Sequence, residues 1–381
     1  MTMLTPDAIE TRDLIRRVAM ERVAPRAAAI DRTGDYPQDM FDLLREIGVF
    51  TLPFPAEYDG RDSLLAACVA TEEFGRVCYN TAYLLVVQWT PFGAIMAAGD
   101  AGQRARYLPG LATGDLRAAF SITEPQSGSD VAGIRTRARR DGAGYRISGQ
   151  KIWCTNAAVA DFIVLAAKTG DERGAINFFI VPADAPGLTI GRKEDKLGAR
   201  GVPSSPLFLE DVIVPADAML GAEGKGFRQV MEALALSRPI IGARAVGLAQ
   251  GALDHALAFV REREAFGQPL TNFQGLRWML ADMTIQIEAA RGLVYRAAAM
   301  TDAGVRGKEL AQAAAIAKTF ASDMAMKVAT DAVQLFGATG ISNDAPINRY
   351  FRDAKVVQII EGSNQIQRNV IAKNLIDGVG S

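Results

Sequence analysis

The sequence predicts an α+β chain in three parts: an N-terminal helical domain, a middle β-barrel or β-sandwich domain, and a C-terminal four-helix bundle. Three observations carry this. Apolar residues recur at helical spacing up to about residue 117, give way to short β-branched and aromatic runs, and return to helical spacing from about 227. No long helical stretch separates the middle runs, which disfavours a parallel βαβ sheet. At 381 residues the chain is too long for one simple core. The expected domains are 1–117, 118–226 and 227–381.

In the first part, "AIETRDLIRRVAMERVAP" has helical spacing and is expected to stop at Pro25. "PQDMFDLLREIGVF" opens on Pro37, carries acids in its first turn and meets Gly48 at its end. "SLLAACVATEEFGRV" follows, then "LLVVQWTPFGAIMAAG", which is apolar nearly all round and expected to be deeply buried. In the middle part, "GYRISGQKIW", "DFIVLAAKT", "INFFIVPA", "GLTIGRK" and "PLFLEDVIVP" read as strands punctuated by Gly, Pro, Asp and Asn. In the last part, "FQGLRWMLADMTIQIEAARGLVYRAAAM" puts Leu276, Leu280, Met283, Ile287, Ala290 and Val294 on one helical face. An alanine-rich helix closed by Gly337 and the shorter "RDAKVVQII" complete a bundle.

Charge is balanced, 42 basic against 43 acidic residues, so nothing electrostatic argues for a nucleic-acid partner. A hydrophobic content of 49% supports a large core and argues against disorder. No uninterrupted apolar run reaches membrane-spanning length, and "MTMLTPDAIETRDLIRR" lacks the apolar centre of a signal peptide. The expectation is a soluble, cytoplasmic protein without membrane contact. Cys68, Cys78 and Cys154 form no CxxC and have no histidine nearby, so they are read as small buried hydrophobes, with neither zinc nor disulfide. His255, the single histidine, stands in the helical "QGALDHALAFV" and is read as a helix-surface or interhelix residue. Proton transfer in such a chain rests mainly on carboxylates.

The glycine pattern of a dinucleotide fold is missing: "GAGYRI" and "GKGFRQ" lack the third glycine, and there is no P-loop. Two stretches suit a planar ring instead. "FSITEPQSGSD" ends in small polar residues, and "KIWCTN" sets the flat indole of Trp153 beside Thr155, a donor and acceptor. Spacing alone equally describes a β-turn and a core tryptophan. "VQIIEGSNQIQR" sets Glu361 between Ile359–Ile360 and Gly362; by position alone it is a loop carboxylate capping the following helix.

Together, "ITEPQSGSDVAG", "GQKIWCTN", "REREAFGQPL", "DAVQLFGATG" and "RDAKVVQIIEGSNQIQR" resemble the acyl-CoA dehydrogenase family of flavoproteins, in order and over nearly the whole chain. The resemblance implies that family's fold, with FAD held non-covalently between the β domain and the bundle. It assigns Phe120, Ile122 and Thr123 to the flavin's pyrimidine side, Trp153 and Thr155 to the ring's face and edge, and Ser363 and Gln365 to the flavin nucleotide. It also implies a homotetramer in which a neighbouring subunit supplies Arg263, Phe266, Gln274, Gln334, Gly337 and Ala338. Ala338 stands where the family often has glycine. Ser129, at the end of the flavin-lining segment, and Arg238 match positions that contact the pantetheine arm or organise its channel.

The same resemblance makes Glu361 the catalytic base. It would take the α-proton of an acyl-CoA while the β-hydride leaves for the flavin, giving a trans-2-enoyl thioester. Apolar neighbours such as Ile359 and Ile360 are expected to raise its basicity, and Gly362 to let the substrate approach the main chain. In relatives with a relocated base the acid lies in the stretch matching "MEALALSRPIIGARAVG"; here it holds only Glu232, so relocation is not indicated. Ala235 replaces an acid that binds the arm in many relatives, which leaves a carrier-protein thioester open beside free CoA. Trp89, Pro91 and Phe92 on the helix flooring the acyl pocket suggest a shallow, wide pocket for a short, branched or cyclic acyl group; as core packing they are equally ordinary. Asn80 matches the arginine of decarboxylating, glutaryl-type relatives, which disfavours a dicarboxylic substrate. The implied acceptor is an electron-transferring flavoprotein. An oxidase, or a non-catalytic flavin-binding protein, is the rival reading.

Overall fold

The computed structural model describes residues 4–224 and 226–378, with every side chain among them except those at 229 and 231–236. Glu232 and Ala235 therefore lie outside the described side chains. Six α-helices come first: α1 (Pro6–Val18), α2 (Ala27–Thr33), α3 (Gln38–Glu46), α4 (Leu64–Val77), α5 (Tyr79–Ala98) and α6 (Ala101–Thr113). Pro25 does not stop the chain's first helical run. It sits in the opening turn of a 3-10 segment, Ala24–Arg26, which follows a π turn at Ala19–Val23 and leads straight into α2. A first-turn proline loses no helical hydrogen bond. α3 matches its signals, with Pro37 before it and Gly48 beyond it at φ +66°. Ser63 caps α4, its hydroxyl accepting from Ala66 N–H at 3.1 Å.

The middle of the chain forms one sheet of eight strands: β1 (Ala118–Ser121), β2 (Arg137–Asp141), β3 (Gly144–Thr155), β4 (Phe162–Lys168), β5 (Ile176–Pro182), β6 (Leu188–Ile190), β7 (Ser204–Pro215) and β8 (Met219–Leu220). The order is β6-β7-β3-β1-β4-β5-β8, with β2 succeeding β1 in the slot between β3 and β4. Pairing is antiparallel except where β4 runs parallel to β1 and β2. The sheet curls around its own core and turns its other face to the helices. Ile163, Leu165 and Ala167 of β4 point into the first, while Phe162, Val164 and Ala166 point into the second. β5 divides the same way, with Phe179 and Val181 opposite Phe178 and Ile180. Strands buried on both faces read as continuous apolar runs.

The last part holds α7 (Gly226–Glu262), the hairpin β9 (Glu264–Ala265) and β10 (Gln268–Pro269), then α8 (Gln274–Asp302), α9 (Gly307–Phe336), α10 (Pro346–Ile359) and α11 (Asn364–Ile376). α8 buries Met283, Ile287, Ala290 and Val294, as their spacing predicts. α7, α8, α9 and α10 make the bundle, and α7 also packs against α4 and α5. Glycines allow that approach: a Cβ on Gly247 would lie 2.1 Å from the Glu72 carbonyl oxygen, and one on Gly251 2.0 Å from that of Arg76. Asp302, ending α8, accepts from the Leu64 and Leu65 N–H groups at 2.7 and 3.0 Å, capping α4 a second time. α5 is long and apolar enough to span a bilayer, but it is mostly buried, between α7 and β1. His255 is an interhelix residue, its ring 5.5 Å from that of Tyr350.

Candidate active site

Glu361 occupies the bend between α10 and α11. Its φ is +55° and that of Gly362 is +84°, so two successive left-handed residues reverse the chain. Such a conformation needs outside support, and it has it. Gln367 Nε2 donates to the Glu361 and Gly362 carbonyls at 3.2 and 3.1 Å. From α9, the fully buried Lys318 donates to Gly362 O at 3.0 Å and Asn364 Oδ1 at 2.8 Å. The Glu361 carboxylate accepts from Ser237 Oγ of α7 at 3.1 Å.

Burial raises the pKa of Glu361, and Ser237, Arg244, Arg238 and Lys318 only partly oppose it. The result is a carboxylate more basic than usual that keeps some accessible surface. The apolar shell is not the one expected from sequence: Ile359 is 59% exposed and Ile360 only half-buried. Arg238 is buried with its Nε unpartnered; burial lowers its pKa against the pull of Glu361.

A second group forms where β1 meets β3. Phe120 pairs with Thr155, and Ile152 N–H donates to Thr123 O at 2.9 Å. Lys151 Nζ donates to Ile122 O at 3.0 Å and to Glu124 Oε1 at 2.8 Å. Glu124 also accepts from the Arg135 and Thr136 N–H groups at 2.5 and 3.0 Å. Burial opposes the charge on Glu124, but Lys151 and these donors outweigh it and hold its carboxyl well below the usual range. Sequence reading missed this buried pair, although its signal was an acid in one motif and the single lysine of the other. A β-bulge between Lys151 and Cys154 turns Trp153 outward at φ +59°, half exposed. Thr155 Oγ1 lies 3.3 Å from Ser204 Oγ, and the buried Asn156 Oδ1 has no hydrogen-bond partner.

Tyr83 of α5 joins the two groups. Burial raises its pKa, and Arg244, Thr155 and Glu361 all act on it. The predicted Phe120, Ile122, Thr123, Trp153 and Thr155 are thus brought together where β1 meets β3, and Tyr83 lies close enough to Thr155 and to Glu361 to interact with both. Ser363, which opens α11, and Gln365, exposed on its first turn, adjoin Glu361 in the chain. Ser129 is on an exposed loop. Trp89 and Phe92 face elsewhere than expected. The Trp89 indole donates to Phe50 O at 2.8 Å, and Phe92 stacks on Phe54 at 3.7 Å, both within the N-terminal core. Residues four apart share a helix face, and the α5 face turned to the site carries Tyr79 and Tyr83. Asn80 Oδ1 accepts from Gly201 N–H at 2.9 Å.

A third group stands apart. Arg263 and Phe266 are in the β9–β10 hairpin region, Gln274 opens α8, and Gln334, Gly337 and Ala338 lie where α9 ends; all are exposed. Phe259 stacks on Phe336 at 4.2 Å, so these residues share one end of the bundle. Gln334 follows Lys318 by sixteen residues of α9, a separation of roughly 24 Å. One protomer therefore does not bring them to Glu361.

The second group suits a flavin nucleotide: an exposed indole face at Trp153, a hydroxyl at Thr155 and a buried, unpaired amide oxygen at Asn156. Three family models match the chain in order: the acyl-CoA dehydrogenase N-terminal domain over residues 5–115, the middle domain over 119–212 and the C-terminal domain over 224–376. A cyclohexane-1-carbonyl-CoA dehydrogenase of Geobacter metallireducens is 44% identical over 96% of both chains. Butyryl-CoA dehydrogenase from Megasphaera elsdenii superposes with a TM-score of 0.94, at 36% identity over 98% of this chain and 99% of that one. A chain from the electron transferring flavoprotein of Acidaminococcus fermentans gives 0.94, at 38% identity over 98% of each. On three domains in order and near-complete coverage, the chain belongs to the acyl-CoA dehydrogenase family and has the activity of an acyl-CoA dehydrogenase.

Proposed function

We propose that the chain performs FAD-dependent α,β-dehydrogenation of an acyl-CoA, with Glu361 as the base and a trans-2-enoyl-CoA as product. The observation that carries this reading is the Glu361 carboxylate, made more basic by burial and held at a strained bend by Ser237, Lys318 and Gln367, with Tyr83 interacting with both Glu361 and Thr155. FAD, when bound, accepts the β-hydride. Phe120, Ile122, Thr123, Trp153 and Thr155 would hold its ring, with Ser363 and Gln365 on the nucleotide. Glu361 takes the proton from the carbon next to the thioester. Ser237 steadies the carboxylate before transfer, and Lys318 with Gln367 fixes the strained bend that carries it. Amide donors of that bend are suited to the charge developing on the thioester oxygen. Ser129 and Arg238 attend the pantetheine arm.

A cyclic or branched acyl group fits best, since a relative at 44% identity is named for cyclohexane-1-carbonyl-CoA. The electron acceptor of this reading is an electron-transferring flavoprotein, in keeping with the Acidaminococcus neighbour. The reading includes a homotetramer. Its support is Phe266, 94% exposed at φ +54° on the tip of a two-residue turn, a costly place for a bare phenyl ring unless another subunit covers it. Arg263, Gln274, Gln334, Gly337 and Ala338 would then serve a neighbour's FAD. A cytoplasmic setting is consistent with three free, buried cysteines.

The test is Glu361→Gln in purified, yellow enzyme. Turnover of cyclohexane-1-carbonyl-CoA should fall by roughly 10²–10⁴-fold or more while flavin stays bound. Normal reduction of the flavin by the variant overturns the assignment.

A further inference from the structure

β1 ends at Ser121, just after Phe120 has paired with Thr155, and the β3–β7 ladder slips between Lys151 and Cys154. Ile122, Thr123 and Trp153 therefore stand where regular strand pairing has stopped on both sides. A buried ion pair holds them instead. Lys151, fully buried, spans the gap, its Nζ donating to Ile122 O at 3.0 Å and to Glu124 Oε1 at 2.8 Å. The next residue, Ile152, donates its N–H to Thr123 O at 2.9 Å. Glu124 is buried too, and accepts from Gln126 Nε2 at 2.7 Å besides the Arg135 and Thr136 N–H groups. Stability alone gives little reason for such a pair, because well-packed apolar side chains often replace a buried ion pair at no cost. An apolar side chain at 151, however, could not bond the Ile122 carbonyl. The two charges also cancel, so the half-exposed Trp153 indole stands beside a rigid support that carries no net charge.

We propose that Lys151 and Glu124 are positioning residues for the flavin: they clamp the Ile122–Thr123 segment to the Trp153 bulge, so that the ring enters a slot already formed, and they place no net charge beside it. Both side chains are enclosed, so they act through the Ile122 carbonyl and the bulge rather than by touching the ring. This inference rests on the dehydrogenase reading for the assignment of Ile122, Thr123 and Trp153 to FAD.

The experiment measures the affinity of the full-chain apoprotein for FAD and the midpoint potential of the reloaded flavin. Lys151→Met removes the clamp and leaves Glu124 ionised, because its three N–H donors remain. FAD should then bind about 10–100-fold more weakly, the worth of a buried hydrogen bond to a charged group. The potential should fall, because reduction adds negative charge to the ring beside an uncompensated carboxylate. Combining Lys151→Met with Glu124→Gln removes that charge as well, so the potential should return to the parent value while the weak binding persists. A role confined to stability would lower the melting temperature and move neither readout, and that result overturns the proposal. Parent-like FAD affinity in the double variant overturns it too, and decides the matter should Lys151→Met alone fail to fold. A failure of the dehydrogenation reading registers separately, as bound flavin in the parent enzyme that no acyl-CoA reduces.

Discussion

At the scale of single residues, the proposed reaction depends on holding one carboxylate charged, basic and still. The Ser237 hydroxyl bonds the ionised form of Glu361 and so opposes the rise that burial imposes. Ser237→Ala should therefore move the acid limb of the kcat/KM profile to higher pH. Activity near pH 6 should fall several-fold more than activity near pH 8, and an unmoved limb would dismiss the contact. Much of this site could be read from the chain. Glu361, Trp153 and Thr155 stand in motifs whose residue types suit the chemistry proposed for them. Ser237 and Lys318 escaped because their meaning lies in contacts: Ser237 meets Glu361 across 124 positions, and Lys318 meets Gly362 across 44. For Trp89 and Phe92 the sequence left two readings, a pocket wall and core packing, and their contacts are those of core packing. Their bulk suggested a pocket wall, but which face of α5 turns to the site is decided by packing, and that face carries Tyr79 and Tyr83.

At the scale of elements, the crossing of α4 and α7 has the least slack. Replacing a helical glycine by alanine ordinarily gains about 1 kcal/mol of propensity. At Gly247 the added methyl would sit 2.1 Å from the Glu72 carbonyl oxygen, so the helices must part. Gly247→Ala should be destabilising by roughly 1–3 kcal/mol net, seen as a lowered denaturation midpoint. Gly275→Ala is the control: nothing lies within 4 Å of its added Cβ on α8, and that variant should hold or gain stability. Equal behaviour of the two would refute close packing at the crossing. Neither glycine signals its part in the sequence, where both are simply weak helix formers. The strands divide in the same way. β4 and β5 are buried on both faces and announce themselves as apolar runs. β2, the arginine-rich "RARRD", is a strand only because β3 and β4 pair with it.

For the whole molecule, α10 is where the three parts of the chain are tied together, and pH reaches the fold through it. Arg352 donates to Asp31 Oδ1 of α2 at 2.9 Å and to the Leu197 carbonyl at 3.0 Å. The next residue, Asp353, is buried and accepts from Ala199 N–H at 2.6 Å. Burial dominates at Asp353 and pushes its pKa from 3.8 to about 7, against the Ala199 bond and the nearby arginines. An acid whose folded pKa is raised binds more protons folded than unfolded throughout that interval. Its stabilisation is complete below the unfolded value and is lost as pH climbs through the folded one. At about 1.4 kcal/mol per unit, the loss is capped at roughly 4 kcal/mol. Asp353→Asn keeps an oxygen for the Ala199 N–H and cannot ionise. Between pH 5 and 8 the parent protein should therefore lose melting temperature relative to Asp353→Asn, with the variant the more stable above pH 7. Parallel melting curves across that range would show that Asp353 is ionised in the fold at no cost, and that the junction of α10 with α2 and the β7 approach does not sense protons.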